Sequence, residues 1–415
     1  MKLHQELTER GFIHQTSADI EEILDGPKRT IYLGVDPTAE SIHAGNFVGY
    51  MLMRHLAKAG HKVIMLAGGA TGRIGDPKPD VERPLLPEEE ITSRVKKLQT
   101  QAQNLIGVDD LRIVNNYDWF KNINLIDFLR DVGKHFTVNE LIKKDAIAKR
   151  LTSEIGLSYT EFAYPLIQGY DYLELYRQFG CDVQIGGSDQ WGNIISGVDL
   201  VRRKEQTTVY ALTLPLVVDK ATGKKFGKSE GNAIWLDPEK TSPYEFYQFW
   251  LNVSDESVFD YLKLFTFVPL DEIFELEKKF EVNPGARFAQ KKLAFEVTNL
   301  VHGAQAAEAV KEVSELLFGL GSIHDISTDA KEILLTTAPV ADVEVGKYIV
   351  DILVDSKLAT SKREARTFIE SGAIILGEEK CSDIEQTLKQ EDFIGGITLI
   401  RRGKKQLCVL IERSL

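Results

Sequence analysis

Cysteine is scarce in this 415-residue chain, and the three present stand far apart, at Cys181, Cys381 and Cys408. This odd, scattered set excludes a disulfide framework and a cysteine-based zinc site. The eight histidines show no H-E-x-x-H pairing. No stretch approaches the roughly 20 apolar residues of a membrane span, and the N-terminal MKLHQELTERGFIHQ lacks the apolar core of a targeting peptide. We therefore expect a cytoplasmic enzyme without a structural metal.

An excess of positive charge is also missing. The formal net charge of −12 argues against a general nucleic-acid binder and against DNA as a partner. The charge is uneven, because residues 346–415 carry twelve basic against eleven acidic side chains. Within that tail, SKREAR and RRGKK concentrate the positive charge. The tail therefore has the charge to contact RNA, whereas the rest of the chain does not.

A strand–helix–strand pattern stands near the beginning of the chain. RTIYLGVD reads as a strand, HAGNFVGYMLMRHLAKAG as a helix and KVIMLAGG as a second strand. Such a unit predicts a parallel sheet, and CDVQIGG with SDQWGNIISGVDL repeats the theme. Ligands of parallel sheets bind beyond the carboxyl ends of the strands. We therefore expect residues 34–36, 68–76 and 186–190 to converge.

The segment ATGKKFGKSEGN, residues 221–232, concentrates lysine and glycine as phosphate-binding loops do. It is not a P-loop, because the G-x-x-x-x-G-K-[ST] pattern needs a glycine where Thr222 stands, five residues before Gly227. One interpretation of Lys225 and Lys228 is a flexible cationic loop that closes on a leaving phosphate group. The alternative is a plain surface loop, which would be preferred if the segment stood alone.

The IHAGN segment places His43 and Asn46 at the start of the first predicted crossover helix. The N–H groups of a helix N-terminus favour anions, so the histidine suits a phosphate oxygen, and Gly45 leaves room for a flat base. A loop histidine beside an ordinary cap is the alternative. The turn GGATGRIGDP, which ends in Asp76, is a weak signal because turns are rich in such residues.

The segment EFAYPLIQGYDYLEL aligns Tyr164, Gln168 and Asp171 on one helix face, since they are spaced by four and three residues. They form either a solvated stripe or the wall of a pocket for a small ligand with an ammonium and a hydroxyl group. In QIGGSDQWGN, Gln184, Asp189 and Gln190 stand at the end of a predicted strand. Asp189 suits a ribose hydroxyl or a helix N-cap equally well.

The chain resembles the class I aminoacyl-tRNA synthetases, because it combines HAGN, GGSDQWGN and KFGKS in this order. The HIGH and KMSKS signatures of that family correspond here to residues 43–46 and 225–229. More closely, YLGVDPTAESIHAGN, GGATGRIGDP, YPLIQGYDYLEL, QIGGSDQWGNI and KTSPYEFYQFWLNV look like the bacterial-type tyrosyl-tRNA synthetases. VDILVDSKLATSKREARTFIESGAIILGEEK resembles the S4 RNA-binding module at the C-terminus of that family. The resemblance covers nearly the whole chain.

The resemblance implies an α/β fold, in which a Rossmann-like parallel-sheet catalytic domain is followed by an α-helical domain and a small α+β S4 RNA-binding domain. It also implies a homodimer whose interface is an insertion in the catalytic domain. The implied bounds are 1–230 for the catalytic domain, about 115–155 for the insertion, 225–229 for the KFGKS loop, 231–325 for the helical domain, 326–345 for a linker and 346–415 for the S4 domain.

The implied reaction activates L-tyrosine with ATP to tyrosyl-adenylate and pyrophosphate, and then transfers the tyrosyl group to the 3′ end of tRNA(Tyr). ATP is a substrate here, Mg²⁺ accompanies the nucleotide, and no tightly bound cofactor is implied. No covalent enzyme intermediate is needed, so catalysis would consist of positioning and charge stabilisation.

The resemblance further implies that Tyr32 and Asp171 hold the phenol hydroxyl of tyrosine, while Asp76, Tyr164 and Gln168 hold its ammonium group. Phenylalanine has no hydroxyl group and would leave Tyr32 and Asp171 without a hydrogen-bond partner. Discrimination against phenylalanine is already known for this family. The reacting carboxylate would lie near Gln190.

The remaining implied roles belong to ATP and to the transition state. The ATP-binding residues would be Gly34, Asp36, His43, Gly45, Asn46, Asp189 and Lys228. The residues that stabilise the pentacoordinate phosphate and the departing pyrophosphate would be Thr38, His43, Lys225, Lys228 and Ser229.

Three departures from the family pattern stand out. Asn46 replaces the second histidine of HIGH and cannot be a cation, and Leu33 replaces a cysteine that would make a weak polar contact to the ribose. The loop after Asp76 is one residue shorter than usual. Either Lys78 or Arg83 would then make the phosphate contact of that loop, and the sequence leaves both open.

Rival interpretations remain at this stage. A sister enzyme of the same fold would activate tryptophan, although Asp171 facing Tyr32 favours a phenol. A catalytically inactive paralogue would bind RNA through its S4 module, although the retained lysines, His43 and Asp76 argue against decay. The basic pairs Lys149/Arg150 and Arg202/Arg203 are candidates for the tRNA acceptor arm, or they are simply solvated.

Overall fold

The structure of the protein, a computed structural model, describes residues 1–78, 86–154, 156–223, 226–229, 232–403 and 406–413, with the main chain only at Lys228, Ser229 and Asn232. Lys225 and Arg83, two of the expected site residues, lie outside the described residues. The chain divides into two compact units, residues 1–241 with 253–293 and residues 242–252 with 294–415.

Helices and strands alternate in the first part of the chain. In order they are α1 (Leu3–Glu9), β1 (Gln15–Thr16), α2 (Ile20–Asp25), β2 (Thr30–Val35), α3 (Ala44–Lys58), β3 (Lys62–Ala67), α4 (Glu88–Ile106), β4 (Arg112–Asn115), α5 (Tyr117–Phe120), α6 (Leu125–Asp131), α7 (Val138–Leu141), α8 (Asp145–Leu151), α9 (Tyr159–Phe162), α10 (Tyr164–Phe179), β5 (Val183–Gly187), α11 (Trp191–Glu205), β6 (Tyr210–Leu214), β7 (Lys228–Ser229) and β8 (Asn232–Ala233).

Helices dominate the middle of the chain, and short strands appear after them. These elements are α12 (Pro243–Leu251), α13 (Val258–Phe265), α14 (Leu270–Val282), α15 (Phe288–His302), α16 (Ala304–Leu317), α17 (Thr328–Thr337), β9 (Val340–Val343), α18 (Ile349–Asp355), α19 (Lys362–Glu370), β10 (Ile374–Leu376), β11 (Glu379–Lys380), β12 (Ile397–Arg402) and β13 (Gln406–Glu412). No helix among the described residues is long and apolar enough to cross a membrane.

The predicted parallel sheet is confirmed in the first unit. Its strand order is β1-β6-β5-β2-β3-β4, and all neighbours run parallel except β1 with β6. The chain winds outward from β2 in both directions, so β2 and β5 flank the point where the strand order reverses. Tyr32 pairs in register with Gln184 across that point, and ligands of such sheets bind at the carboxyl ends there.

A short length of main chain joins the start of α3 to the segment after β7. Ala44 N–H donates to the Ile234 carbonyl over 2.8 Å, and Leu236 N–H donates to the Ile42 carbonyl over 2.9 Å. His43 and Trp235 form an antiparallel bridge between these two bonds. The HAGN and KFGKS segments are therefore neighbours in the fold although about 180 residues separate them in sequence.

The second unit contains a sheet with strand order β11-β10-β12-β13-β9, in which only β13 and β9 run parallel. Alternate residues of its strands face opposite sides. Ile400 and Leu410 pack with α18 and α19, whereas Leu399 and Val409 pack with α16 and α17. Burial on both faces explains the apolar character of β12 and β13.

The expected linker at 326–345 is wrong. This segment contains α17 and β9, and Ala330 and Leu334 of α17 are buried against the sheet. The polar residues that suggested a linker face outward, while the apolar ones cover one face of the sheet. The expected helical domain is also divided, because residues 253–293 belong to the first unit.

Candidate active site

A cavity of about 740 Å³ opens at the carboxyl ends of β2, β3 and β5. The three predicted segments, 34–36, 68–76 and 186–190, all contribute to its wall. The expected site residues that line it are Tyr32, Gly34, Asp36, Thr38, His43, Gly45, Asn46, Asp76, Tyr164, Gln168, Asp171, Asp189 and Gln190. The structure thus brings together every expected site residue whose side chain or glycine backbone it describes.

Tyr32 and Asp171, which both line the cavity, form a buried part of its wall. The Asp171 carboxylate accepts from Asn116 Nδ2 over 3.0 Å and from Trp119 Nε1 over 2.9 Å. The Tyr32 hydroxyl, in contrast, has no hydrogen-bond partner within the described part of the chain. A buried hydroxyl without a partner is costly, so this part of the wall favours a ligand that can hydrogen-bond to it.

Burial governs the proton affinities of these two groups. Burial raises the pKa of Asp171 well above its usual range, against the opposing effect of the donors Asn116 and Trp119, and the nearby Asp36 charge raises it further. Burial also raises the pKa of Tyr32, with the negative charge of Asp171 acting in the same direction. The phenol of Tyr32 therefore stays a donor at neutral pH.

A continuous hydrogen-bonded chain leads from Asp171 to the opposite wall. Asn116 Nδ2 donates to Thr71 Oγ1 over 3.0 Å as well as to Asp171. Thr71 Oγ1 donates to Asp36 Oδ1 over 2.6 Å, and the Tyr164 hydroxyl donates to Asp36 Oδ2 over 2.9 Å. Both oxygens of Asp36 are thus engaged, and its charge fixes the orientation of Tyr164.

Gly68 makes this chain of contacts possible. A Cβ atom at Gly68 would lie 2.1 Å from Asp36 Oδ1 and 2.4 Å from Thr71 Oγ1. No side chain fits at either distance, so Asp36 and Thr71 meet only because residue 68 is glycine. The weak sequence signal of the glycine-rich turn therefore has a specific steric cause.

Asp76 and Gln168 lie beside Tyr164 on the wall of the cavity. Asp76 accepts from Gln190 Nε2 over 2.8 Å and from Asn193 Nδ2 over 3.3 Å. Gln168 Oε1 is buried without a hydrogen-bond partner among the described residues. With Asp36 and Asp171, Asp76 makes three carboxylates around one cavity, an arrangement that favours a cationic ligand group.

The start of α3 supplies the more open side of the cavity. His43 is the N-cap of α3, and its Nδ1 accepts from Gly45 N–H over 3.1 Å. Gly227 has φ +89°, and a Cβ there would lie 2.4 Å from Gly45 N. A Cβ at Gly45 would lie 2.8 Å from the Phe226 carbonyl oxygen. The two signatures therefore pack backbone against backbone, which requires glycine on both sides.

The structure describes only part of the segment that holds the two lysines expected to bind phosphate, Lys225 and Lys228. Lys225 lies outside the described residues, and the side chains of Lys228 and Ser229 are likewise outside them. Of the two candidates in the shortened loop, Lys78 lines the cavity, while Arg83 lies outside the described residues. Among the described residues, no three His, Cys, Asp or Glu side chains converge as metal ligands.

Neither interpretation of Arg150, contact with the tRNA acceptor arm or simple solvation, agrees with the structure. Arg150 is fully buried and forms a two-pronged ion pair with buried Glu161, at 3.1 and 2.9 Å. Arg202 and Arg203 are exposed, and they contact Asp199 and the His135 carbonyl respectively. A pair of basic residues in sequence does not reveal which member points inward, and this limited the prediction.

Several residues of the site escaped the sequence reasoning. Asn116 and Trp119 follow β4, and Thr71 and Asn193 follow β3 and β5. Gln184, in contrast, was expected near the end of a strand; it stands within β5 and contributes a buried Oε1 without a partner in the described ranges. A usable signal existed for Asn116, because NNYDW places polar residues directly after a strand of the parallel sheet.

Comparisons with known proteins agree with this geometry. Residues 25–319 match the family model of tRNA synthetases class I (W and Y), and residues 330–410 match that of the tyrosine–tRNA ligase SYY-like C-terminal domain. The chain is 47% identical to the tyrosine–tRNA ligase of Streptococcus uberis over 99% of this chain and 100% of that protein. It is 46% identical to the tyrosine–tRNA ligase of Escherichia coli O139:H28 over 98% of each.

Solved structures are similar as well. A C-terminally truncated mitochondrial tyrosyl-tRNA synthetase of Aspergillus nidulans matches with a TM-score of 0.69 and 31% identity, over 76% of this chain and 94% of that one. A tryptophanyl-tRNA synthetase of Encephalitozoon cuniculi matches with a TM-score of 0.57 at 14% identity, over 74% of this chain and 89% of that one, a likeness of fold alone.

Proposed function

This chain belongs to the tyrosine–tRNA ligase family of class I aminoacyl-tRNA synthetases, enzymes that activate tyrosine with ATP and charge tRNA with it, and on that premise we propose how its residues divide the reaction. Tyrosine lies in the cavity with its phenol between Tyr32 and Asp171 and its ammonium group near Asp76, Tyr164 and Gln168. The observation that carries this orientation is the buried Tyr32 hydroxyl without a partner, opposite Asp171.

The two ends differ in the way that tyrosine requires. Tyr32 is a neutral donor and Asp171 an acceptor, so a phenol that both accepts and donates satisfies them together. At the other end, Asp76 supplies charge and Gln168 Oε1 supplies an acceptor, which suit an ammonium group. Phenylalanine would leave the Tyr32 hydroxyl unpaired and desolvated, and an unmet buried polar group costs about 1–3 kcal/mol.

ATP occupies the open side of the same cavity in this proposal. Its adenosine faces Gly34, Asp36, Asn46 and Asp189, and Gly45 leaves room for the base. Gln190, oriented by its bond to Asp76, lies near the tyrosine carboxylate. That carboxylate attacks the α-phosphate and pyrophosphate leaves, so the protein needs to orient two substrates and to neutralise developing charge.

The charge on the phosphates is met by His43 and Thr38 and by the KFGKS loop. Phe226 and Gly227 lie against the start of α3, so a lysine on either side of them is within the reach of phosphates bound there. We propose that Lys225, Lys228 and Ser229 stabilise the departing pyrophosphate, that Lys78 serves the loop after Asp76, and that Mg²⁺ enters bound to ATP.

The C-terminal domain is proposed to bind tRNA(Tyr), since its charge is balanced, with twelve basic against eleven acidic side chains in residues 346–415, in a protein whose formal net charge is −12. We infer a cytoplasmic location because tRNA is charged where translation uses it.

We also propose a homodimer through the 115–155 segment. That segment exposes large apolar side chains, which suits an interface; they are Leu125, Ile126, Leu129, Val138, Ile142 and Leu151. Leu129→Asp would place a charge in that interface, and analytical ultracentrifugation should then show a monomer. A variant that sediments like the wild type would contradict this interface.

The test of the whole proposal is ATP–pyrophosphate exchange, measured with each amino acid separately. Wild type should exchange with tyrosine alone, Lys228→Ala should lose most of that rate, and Lys220→Ala should keep it, because Lys220 pairs with Asp260 away from the cavity. Exchange with tryptophan would move the assignment to the sister enzyme. No exchange with any amino acid, while tRNA is still bound, would leave an inactive RNA-binding protein.

A further inference from the structure

Arg150 is buried at a junction of three segments. Its Nη1 donates to the Lys78 carbonyl over 3.0 Å and to Glu161 Oε1 over 3.1 Å. Its Nη2 donates to the Gly156 carbonyl over 2.7 Å and to Glu161 Oε2 over 2.9 Å. Arginine is the only side chain that presents this fork of donors, so one residue connects the loop after Asp76, the 156 turn and α9.

Each connected segment leads directly to a residue of the proposed ammonium site. Lys78 is two residues after Asp76, and Glu161 is three residues before Tyr164, the first residue of α10. Ser158, the N-cap of α9, adds a bond from its hydroxyl to Glu161 Oε2 over 3.2 Å. The Arg150–Glu161 pair therefore joins the segments that carry Asp76 and Tyr164, although it does not line the cavity.

Arg150 lies near the C-terminal end of α8, and the N-terminal end of this helix is also bonded to a segment of the site. Lys144, the N-cap residue of α8, donates to Ser196 Oγ over 2.8 Å and to the Gly192 carbonyl. Gly192 lies in the first turn of α11, beside Gln190 and Asn193, which both bond to Asp76. Helix α8 is thus bonded to the first turn of α11 at its N-terminal end and to α9 at its C-terminal end.

We propose that Arg150 is a positioning residue for tyrosine recognition, which holds Asp76 and Tyr164 at the separation that the substrate ammonium group requires. This inference rests on the proposed assignment of the ammonium group to Asp76, Tyr164 and Gln168. Arg150 touches neither substrate, so it acts only through the segments that it joins.

A buried ion pair such as Arg150–Glu161 is better suited to fixing the positions of segments than to stabilising the fold. Burying an ion pair carries a desolvation cost that its attraction only partly offsets, and apolar replacement of a whole buried pair is often neutral for folding. Removing one partner alone is destabilising, because it leaves an uncompensated charge. The double variant Arg150→Met/Glu161→Met therefore separates the two roles: it leaves no buried charge but removes the bonds to the Lys78 and Gly156 carbonyls.

The experiment compares two inhibitors that differ only in the ammonium group, tyrosinol and 3-(4-hydroxyphenyl)propan-1-ol. Their inhibition constants are measured in ATP–pyrophosphate exchange for wild type and the double variant. Tyrosinol should bind about tenfold more weakly to the double variant, a loss of about 1.4 kcal/mol. The amine-free alcohol and the KM for ATP should change less than about twofold, since a small misplacement affects only the group it misplaces.

Two controls make the result decisive. Arg10→Met removes another buried arginine that donates to main-chain carbonyls, of Lys263, Thr266 and Val268, and it should lower the melting temperature without changing either inhibition constant. Gln168→Met tests the ammonium site itself and should weaken tyrosinol alone.

The positioning role would be overturned by two outcomes, provided that Gln168→Met still weakens the binding of tyrosinol. In the first, the double variant binds both inhibitors more weakly by the same factor; in the second, it binds both as tightly as the wild type does. Unchanged tyrosinol binding in Gln168→Met would overturn the proposed ammonium site, and the inference with it.

Discussion

Thr71→Val removes the central link of the hydrogen-bonded chain and tests whether that chain serves the substrate. Valine has nearly the shape of threonine, so the buried volume is preserved, but it can neither donate to Asp36 nor accept from Asn116. A hydrogen bond to a charged group contributes about 1.5–3 kcal/mol and a neutral one about 0.5–1.5 kcal/mol. Because Asp36 is only partly buried, water replaces part of the loss, and we expect the free energy of unfolding to fall by about 2–3 kcal/mol.

The functional consequence follows from Tyr164. Its hydroxyl is oriented by Asp36 Oδ2, and the valine variant removes one of the contacts that orient the Asp36 carboxylate, the bond from Thr71 to Oδ1. We expect the KM for tyrosine in ATP–pyrophosphate exchange to rise about tenfold, equivalent to about 1.4 kcal/mol, and the KM for ATP to change much less.

Thr71→Ser is the matched control, because it keeps the hydroxyl and loses only a methyl group. It should retain the wild-type KM for tyrosine and lose less stability than the valine variant. Denaturant unfolding and exchange kinetics on the three proteins check both statements. If valine lowers stability but leaves the KM for tyrosine unchanged, the chain is structural only. If serine is as damaging as valine, the hydroxyl is not the cause.

Three further changes test other parts of the site. Trp119→Phe removes a donor from the buried Asp171 carboxylate, and the preference for tyrosine over phenylalanine in exchange should fall about tenfold; an unchanged preference would contradict the phenol assignment. Gly227→Ala places a Cβ against the main chain of α3 and should abolish most of kcat. Gly223→Ala is the control, because Gly223 also has a positive φ but has open space around it, and this variant should keep kcat. Equal losses of kcat in the two variants would mean that backbone strain alone is responsible. Burial lowers the pKa of His55 to about 3. The contribution of the neutral imidazole to stability is therefore present above about pH 6.5 and is lost as pH falls towards 3, by up to about 1.4 kcal/mol per pH unit. His55→Phe should reduce this acid dependence of the free energy of unfolding, and the control His324→Gln, at an exposed position, should not.

The catalytic fold was predictable because its signals are local. The alternation of strand and helix around Gly60 and the apolar strands such as KVIMLA follow from periodicity and turn chemistry alone, and the structure confirms the parallel sheet. The sequence also indicated where the carboxyl ends of the strands would meet. The prediction of a linker at 326–345 was wrong because the stabilising contacts of this segment are not local. Helix α17 is polar on its outer side and packs on a sheet whose strands lie about 70 residues later in the sequence.

The site was predictable residue by residue only where a known family supplied the roles. Periodicity placed Tyr164, Gln168 and Asp171 on one face, but it did not connect them with Asn116 or Thr71. Those contacts join segments about 35 to 55 residues apart, and no local rule reports them. Arg150 shows the same limit, because its burial depends on a carboxylate at Glu161 that only the fold brings close.

The pattern of satisfied and unsatisfied polar atoms describes the shape of the substrate independently of any resemblance. The buried polar groups behind the wall are paired with one another: Asn116 with Asp171 and Thr71, and Thr71 with Asp36. The Tyr32 hydroxyl and Gln168 Oε1, which face the cavity, have no partner among the described residues. Native structures leave few buried polar groups unpaired, so we propose that the ligand pairs with these two atoms. In that proposal, the phenol hydroxyl of tyrosine pairs with Tyr32 and its ammonium group donates to Gln168 Oε1, so the two polar groups of the substrate match the two unpaired atoms.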